Sequence, residues 1–166
     1  INCIAIPKTV DNDLAITDCC PGFGSAAKYI AISTMEAALD VESMSETSTK
    51  VFILEVMGRN AGWMAASSAL AKNSSTDAPH IILLPEVTFN QHKFLSKEKG
   101  IVKTKGYCVV VASEGVKNSK GQFLAESDRK DAFGHAQLGG VAPYLSSLIN
   151  SKLKLKNHWA VSDYLL

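Results

Sequence analysis

Lys8, Thr9, Asp11 and Asp13 fall within the short run Lys8-Thr9-Val10-Asp11-Asn12-Asp13. A lysine can neutralise a phosphate, a threonine hydroxyl can hydrogen-bond one, and a carboxylate can accept a hydroxyl proton as a new bond forms. The run therefore suits phosphate chemistry. It leaves an apolar stretch, Ile1 to Ile6, that reads as a buried strand ended by Pro7, which has no backbone donor. Strand ends of that kind border the ligand crevices of open α/β sheets. Arg59 and Glu114 stand in the same relation to two more apolar runs, Val51 to Val56 and Tyr107 to Ala112. Each of these charged residues alone is an ordinary surface group. Three strand exits with polar residues form a pattern that separate surface charges do not require.

The elements that must position these residues alternate along the chain. Ser25 reads as the N-cap of a helix from Ala26 to about Val41, with Ala27, Ile30, Ala31, Ala38 and Val41 as its buried stripe. Pro21-Gly22-Phe23-Gly24 reads as a connector, since it lacks a full glycine fingerprint for phosphate. Val51 to Val56 is nearly all apolar, as expected of a strand covered on both faces in a parallel sheet. An Ala-rich helix is expected from Gly62 to Lys72 and a strand from His80 to Leu84. A helix capped by Asn90 should reach about Lys103, and Pro143 suits the first turn of a helix ending near Leu153. His80 has no metal partner in sequence and reads as structural or exposed. Residues 157–166 are too short a stretch to place. The alternation predicts a layered α/β fold with a largely parallel sheet.

Composition narrows the function classes. The chain has 166 residues, 46% of them hydrophobic, enough for one domain with a sizeable core. A formal net charge of +1 gives no reason to expect nucleic acid or an anionic membrane as partner. Lys93, Lys97, Lys99 and Lys103 read as the solvated face of a helix. Cys3, Cys19, Cys20 and Cys108 show no zinc spacing; Cys3 and Cys108 lie in apolar runs and read as buried thiols. No stretch reaches membrane-spanning length and no signal-type segment is evident, so a cytoplasmic location is expected.

Beyond these readings, Pro7 to Asp13 resembles the PKT-[IV]-DND loop of the phosphofructokinase family, and Met57-Gly58-Arg59-Asn60-Ala61-Gly62-Trp63 resembles its MGR-x-x-G segment. Thr17 to Tyr29 and Phe133-Gly134-His135-Ala136-Gln137-Leu138-Gly139-Gly140 are similar to the family's bacterial pyrophosphate-dependent branch. The resemblance implies an enzyme of two α/β lobes that phosphorylates the 1-hydroxyl of fructose 6-phosphate with magnesium assistance. Residues 1–24 would finish the donor-binding lobe, and residues 25–166 would form most of the sugar-phosphate lobe. Family members are longer, so the chain reads as a fragment. The glycine-rich loop that holds the donor and its metal lies outside it, and no metal ligand is assigned within it.

Residue roles carry over by motif. Asp11 matches the base, Asp13 the second carboxylate, and Thr9 a contact to the transferring group; Lys8 would bind the donor. Thr9, Val10, Asp11, Met57, Gly58, Arg59, Glu114, Arg129 and His135 match sugar-phosphate contacts, the last two as cationic ligands of the 6-phosphate. Lys8 and Leu138 stand where many ATP-using relatives have Gly and Arg, which favours pyrophosphate as donor. ATP is the alternative. A homo-oligomer is implied for the full-length protein. Two readings of another class stay open: a fragment that binds sugar phosphate without turnover, which is expected of the isolated chain, and a plain structural α/β subunit.

Overall fold

The computed structural model describes residues 1–130, 136–138, 140–162 and 165, with residues 126–130 and 136–138 as backbone only. In chain order come helix α1 (Phe23–Met44), strand β1 (Val51–Val56), helix α2 (Trp63–Ser67) with a 3-10 turn (Ser68–Ala71), and strand β2 (Ile81–Leu83). Helix α3 (Gln91–Lys105), strand β3 (Cys108–Ser113), strands β4 (Glu126–Lys130) and β5 (Ala136–Leu138), helix α4 (Val141–Leu153) and strand β6 (Asn157–Val161) follow.

Four strands make one parallel sheet in the order β2-β3-β1-β6. Alternation along β1 divides the core between the sheet's two faces. Val51 and Ile53 point to one side with Cys108, Val110 and Ala112, under Phe94 of α3 and Leu145 and Ile149 of α4. Leu54 and Val56 point to the other with Val111, under Ala26 and Ile30 of α1 and Met64 and Ala65 of α2. The fold is the layered α/β architecture that the apolar runs call for. No helix among the described residues is long and apolar enough to cross a membrane.

Several expectations need correction. Residues 1–9 form no strand, and Ile1, Cys3, Ile4 and Ile6 are exposed. A strand needs a neighbour for its N–H and C=O groups, and among the described residues none pairs with this stretch. Helix α1 begins earlier than Ser25: Gly22, with φ 91°, is its N-cap and supplies no side-chain bond. Ala31 is only half-buried in the stripe, whereas Thr34 is fully buried. The Ala-rich helix shortens to α2 plus a 3-10 turn. There Ser67 and Ser68 donate their hydroxyls to the carbonyls of Met64 and Ala65 at 2.7 and 2.6 Å, a local competition that loosens the helical ladder. By contrast α3 starts as read, with Asn90 Oδ1 accepting the Lys93 N–H at 3.0 Å. It closes at Gly106, whose φ of 85° suits glycine.

Candidate active site

The parallel register pairs Val56 with Ser113, so the residues just beyond them, Met57 and Glu114, leave the sheet side by side. Gly58 turns the first exit at φ 128°, where a Cβ would lie 2.6 Å from the carbonyl oxygen of Ala61. Its N–H donates to Glu114 Oε1 at 3.3 Å, joining the two exits. The Gly62 N–H, at the far end of the same loop, donates to Glu86 Oε1 at 2.7 Å. Glu86 thus anchors the loop that carries Arg59, a role the sequence reading left out.

The Asp11 loop reaches this point from the α1/α2 side of the sheet. Val10 packs on the cluster of Ala26, Ile30, Leu54, Val56, Met64 and Ala65, which fixes the loop against the ends of the strands. Its side chain is spent on that packing, so a contact from Val10 to a ligand falls to its backbone. The Asp11 N–H donates to Thr9 Oγ1 at 3.3 Å. Asn12, buried and at φ 57°, ties the loop down: its Oδ1 accepts the Cys20 N–H at 2.8 Å and its Nδ2 donates to the Asp18 carbonyl at 3.3 Å. Asparagine tolerates that left-handed backbone, and this was the available signal for a residue that sequence reasoning passed over.

Electrostatics show that these loops share one space. Burial, followed by the charge of Asp13, raises the Asp11 carboxyl above its ordinary value, while the Arg59 backbone N–H, the Arg59 guanidinium and Lys8 pull it down. Glu114 is likewise raised, first by burial and further by the charges of Asp11 and Glu55, against the Gly58 N–H and Arg59. Asp11, Arg59 and Glu114 therefore converge. Lys8 and Asp13 lie exposed beside them, and Thr9, Met57 and Arg59 are half-buried.

Arg129 lies on β4, whose backbone alone is described, and His135 lies outside the described residues. His80 is structural: its Nδ1 accepts the Val109 N–H at 3.0 Å and its ring meets Tyr107 edge-on. An apolar groove of about 240 Å³ runs along β2 and α3, lined by Ile82, Leu84, Phe89 and Phe94 among others, with no carboxylate in its walls. The chemistry-bearing groups are at the strand exits, not in that groove.

Comparison with known proteins bears on this arrangement. The phosphofructokinase family profile matches residues 1–161. The chain belongs to the phosphofructokinase family. It is 57% identical over 166 residues to the pyrophosphate-fructose 6-phosphate 1-phosphotransferase of Xanthomonas campestris pv. campestris, covering 99% of this chain and 40% of that protein. It is also 35% identical over 159 residues to ATP-dependent 6-phosphofructokinase 2 of Clostridium perfringens, covering 95% of this chain and 40% of that one. A crystal structure of the pyrophosphate-dependent phosphofructokinase from Marinobacter aquaeolei superimposes with a TM-score of 0.82 at 55% identity, over 96% of this chain and 36% of that one. The chain thus spans about two fifths of the length of these phosphofructokinase relatives.

Proposed function

We propose that the full-length protein transfers a phosphoryl group from pyrophosphate to the 1-hydroxyl of fructose 6-phosphate, giving fructose 1,6-bisphosphate and phosphate. The observation that carries this reading is the convergence of Asp11, Arg59 and Glu114 at adjacent loops, on the motifs that resemble the family's substrate loops. The similarity to relatives named for the pyrophosphate reaction supports the donor, as do Lys8 and Leu138.

In this mechanism Asp11 accepts the proton of the 1-hydroxyl as its oxygen bonds to phosphorus and the bond to the leaving phosphate breaks. Thr9 contacts the transferring group and Lys8 stabilises the departing phosphate. Met57, Gly58 and Arg59 hold the sugar phosphate, and Glu114 accepts hydrogen bonds from sugar hydroxyls. Arg129 and His135 bind the 6-phosphate, a role that rests on their motif. Most of the barrier is lowered by positioning and charge compensation rather than by the base alone.

Magnesium would neutralise charge on the donor. The residues present fit it as a small part of its shell: Asp13 is an exposed carboxylate beside the loop, and magnesium is commonly held by one or two carboxylates plus phosphates and water. Among the described residues no group of three or more His, Cys, Asp or Glu gathers for a metal. Residues 1–24 act with the donor lobe and residues 25–166 form the sugar-phosphate lobe. A cytoplasmic homo-oligomer belongs to the same proposal.

The test is a coupled assay of the full-length protein with fructose 6-phosphate and magnesium, comparing pyrophosphate with ATP, repeated with Asp11→Ala. Turnover with pyrophosphate alone that disappears in the variant is the expected result. Turnover with ATP alone would keep the family and overturn the donor. Turnover with neither would favour a protein that binds sugar phosphate without reacting it, the behaviour expected of the isolated 166 residues.

A further inference from the structure

We infer that Ser113 is the positioning residue of the sugar-phosphate site, setting the peptide between Gly58 and Arg59 so that it faces Asp11 correctly. Ser113 is the last residue of β3 and is wholly inaccessible to solvent. Its hydroxyl makes two bonds whose directions are unambiguous. It donates its one proton to the Gly58 carbonyl, which can only accept, and it accepts the Gly115 N–H at 3.1 Å, which can only donate.

That Gly58 carbonyl belongs to the same peptide unit as the Arg59 N–H. The N–H is the group that faces the Asp11 carboxylate and favours its charged form. Ser113 therefore holds one end of a peptide whose other end addresses the proposed base. The preceding peptide is held as well, since the Gly58 N–H donates to Glu114 Oε1 at 3.3 Å. Asp11, Glu114 and the start of the Arg59 side chain are thus referred to one buried hydroxyl, and a donor on the carbonyl side polarises the peptide toward the carboxylate.

The two loops are pressed together around this hydroxyl. A Cβ on Gly115 would lie 2.6 Å from the Gly58 carbonyl oxygen and would also collide with the Arg59 backbone. A Cβ on Gly58 would come 3.3 Å from Ser113 Oγ. Solvent has no room to replace the hydroxyl, so its removal leaves the Gly58 carbonyl and the Gly115 N–H without a partner. The peptide is then free to rotate, and the groups it orients lose their common reference. The residue touches no substrate in this scheme; it acts through Gly58 and Gly115.

This inference rests on the proposed sugar-phosphate site, and its test separates the two. In the full-length enzyme with pyrophosphate and magnesium, Ser113→Ala should raise the KM for fructose 6-phosphate by about tenfold and lower kcat, leaving the KM for pyrophosphate near the parent value. Ser113→Thr, which keeps the hydroxyl, should restore most of the loss. Ser146→Ala serves as the structural control, because Ser146 is also buried and bonds Asn157 at 2.6 Å on α4, away from the loops. It should lower the melting temperature without moving the fructose 6-phosphate KM. If Ser113→Ala does not fold, Ser113→Cys, similar in shape with a weak donor, carries the same expectation. Unchanged fructose 6-phosphate kinetics in the folded variant, or equal rises in both substrates' KM, would overturn the role of Ser113. Absence of turnover in the parent enzyme would instead overturn the proposed function.

Discussion

The Oε2 atom of Glu55 accepts the backbone N–H of Ala142 at 2.8 Å, joining the middle of the sheet to the start of α4. Its Oε1 takes the Gly140 N–H at 3.0 Å, so one carboxylate satisfies two of the orphan donors of that helix end. Glu55 shares the face of β1 that carries Val51 and Ile53, which is the face α4 covers, and it is 1% exposed. Glu55→Ala should therefore cost about 2 to 4 kcal/mol in urea unfolding of the full-length protein. Glu55→Gln, with one acceptor oxygen, should cost less. An alanine variant as stable as the parent would show that the helix end does not depend on the carboxylate.

Glu98 gives the stability a pH dependence. It lies on α3, fully buried, and neither of its oxygens has a hydrogen-bond partner among the described residues. Burial pushes its carboxyl up to about 8 from an ordinary 4.5, and its charge would also oppose ionisation of the nearby Cys108 thiol. The unfolded chain releases this proton near 4.5 while the folded chain keeps it to about 8. Stability from this residue is thus complete in acid, falls as pH rises through that window, and levels off above it. Glu98→Gln should flatten the slope, leaving a protein more stable than the parent at about pH 9 and little changed near pH 4. Parallel curves of melting temperature against pH would refute this.

Legibility in the sequence followed burial. Val51 to Val56 and Cys108 to Ser113 are covered on both faces, so their unbroken apolar character was a direct reading of a parallel sheet. Asn90 announced its helix because a cap is a local event. Strand β6 was illegible for the converse reason: it is an edge strand, His158 and Trp159 are exposed, and its sequence alternates weakly. Pairing with β1, over a hundred residues earlier, is what makes it a strand. The same holds at the site. Arg59 and Glu114 were visible as residues after strands and Asp11 as part of a polar loop, but the groups that place them, Ser113, Glu86 and Asn12, act through backbone contacts that no spacing reveals.

His80 supplies a second pH effect of opposite sense. Its Nδ1 accepts the N–H of Val109, which has no access to water, and burial with the charges of Lys72 and Lys105 lowers the imidazole to about 4. The unfolded chain takes up a proton near 6.5, whereas the folded chain resists it until about 4. Its contribution is therefore present above the unfolded value and lost as pH falls through that window. His80→Phe keeps the edge-on contact with Tyr107 but leaves the Val109 N–H without an acceptor, at about 1 to 3 kcal/mol. Its melting temperature should drop at neutral pH and change less on acidification than the parent's. A variant with the parent's full acid sensitivity would place that titration elsewhere.

Asn12 separates two contributions to the Asp11 loop, because it supplies both an unusual backbone angle and two hydrogen bonds. Asn12→Gly keeps access to φ 57° and loses the bonds; Asn12→Ala loses the bonds and strains the backbone as well. Asn12→Asp keeps an acceptor for the Cys20 N–H but not the donor to the Asp18 carbonyl. If the loop's rigidity is what holds Asp11 against Arg59 and Glu114, kcat in the full-length enzyme should fall in the order parent, Asp, Gly, Ala. The fall to alanine should be about tenfold or more, since loosening a positioned group degrades reaction geometry steeply. Equal kcat in Gly and Ala variants would mean the bonds alone fix the loop. A glycine variant as active as the parent would mean the backbone angle suffices and the bonds to Asp18 and Cys20 serve only stability, which unfolding of the same proteins would then register.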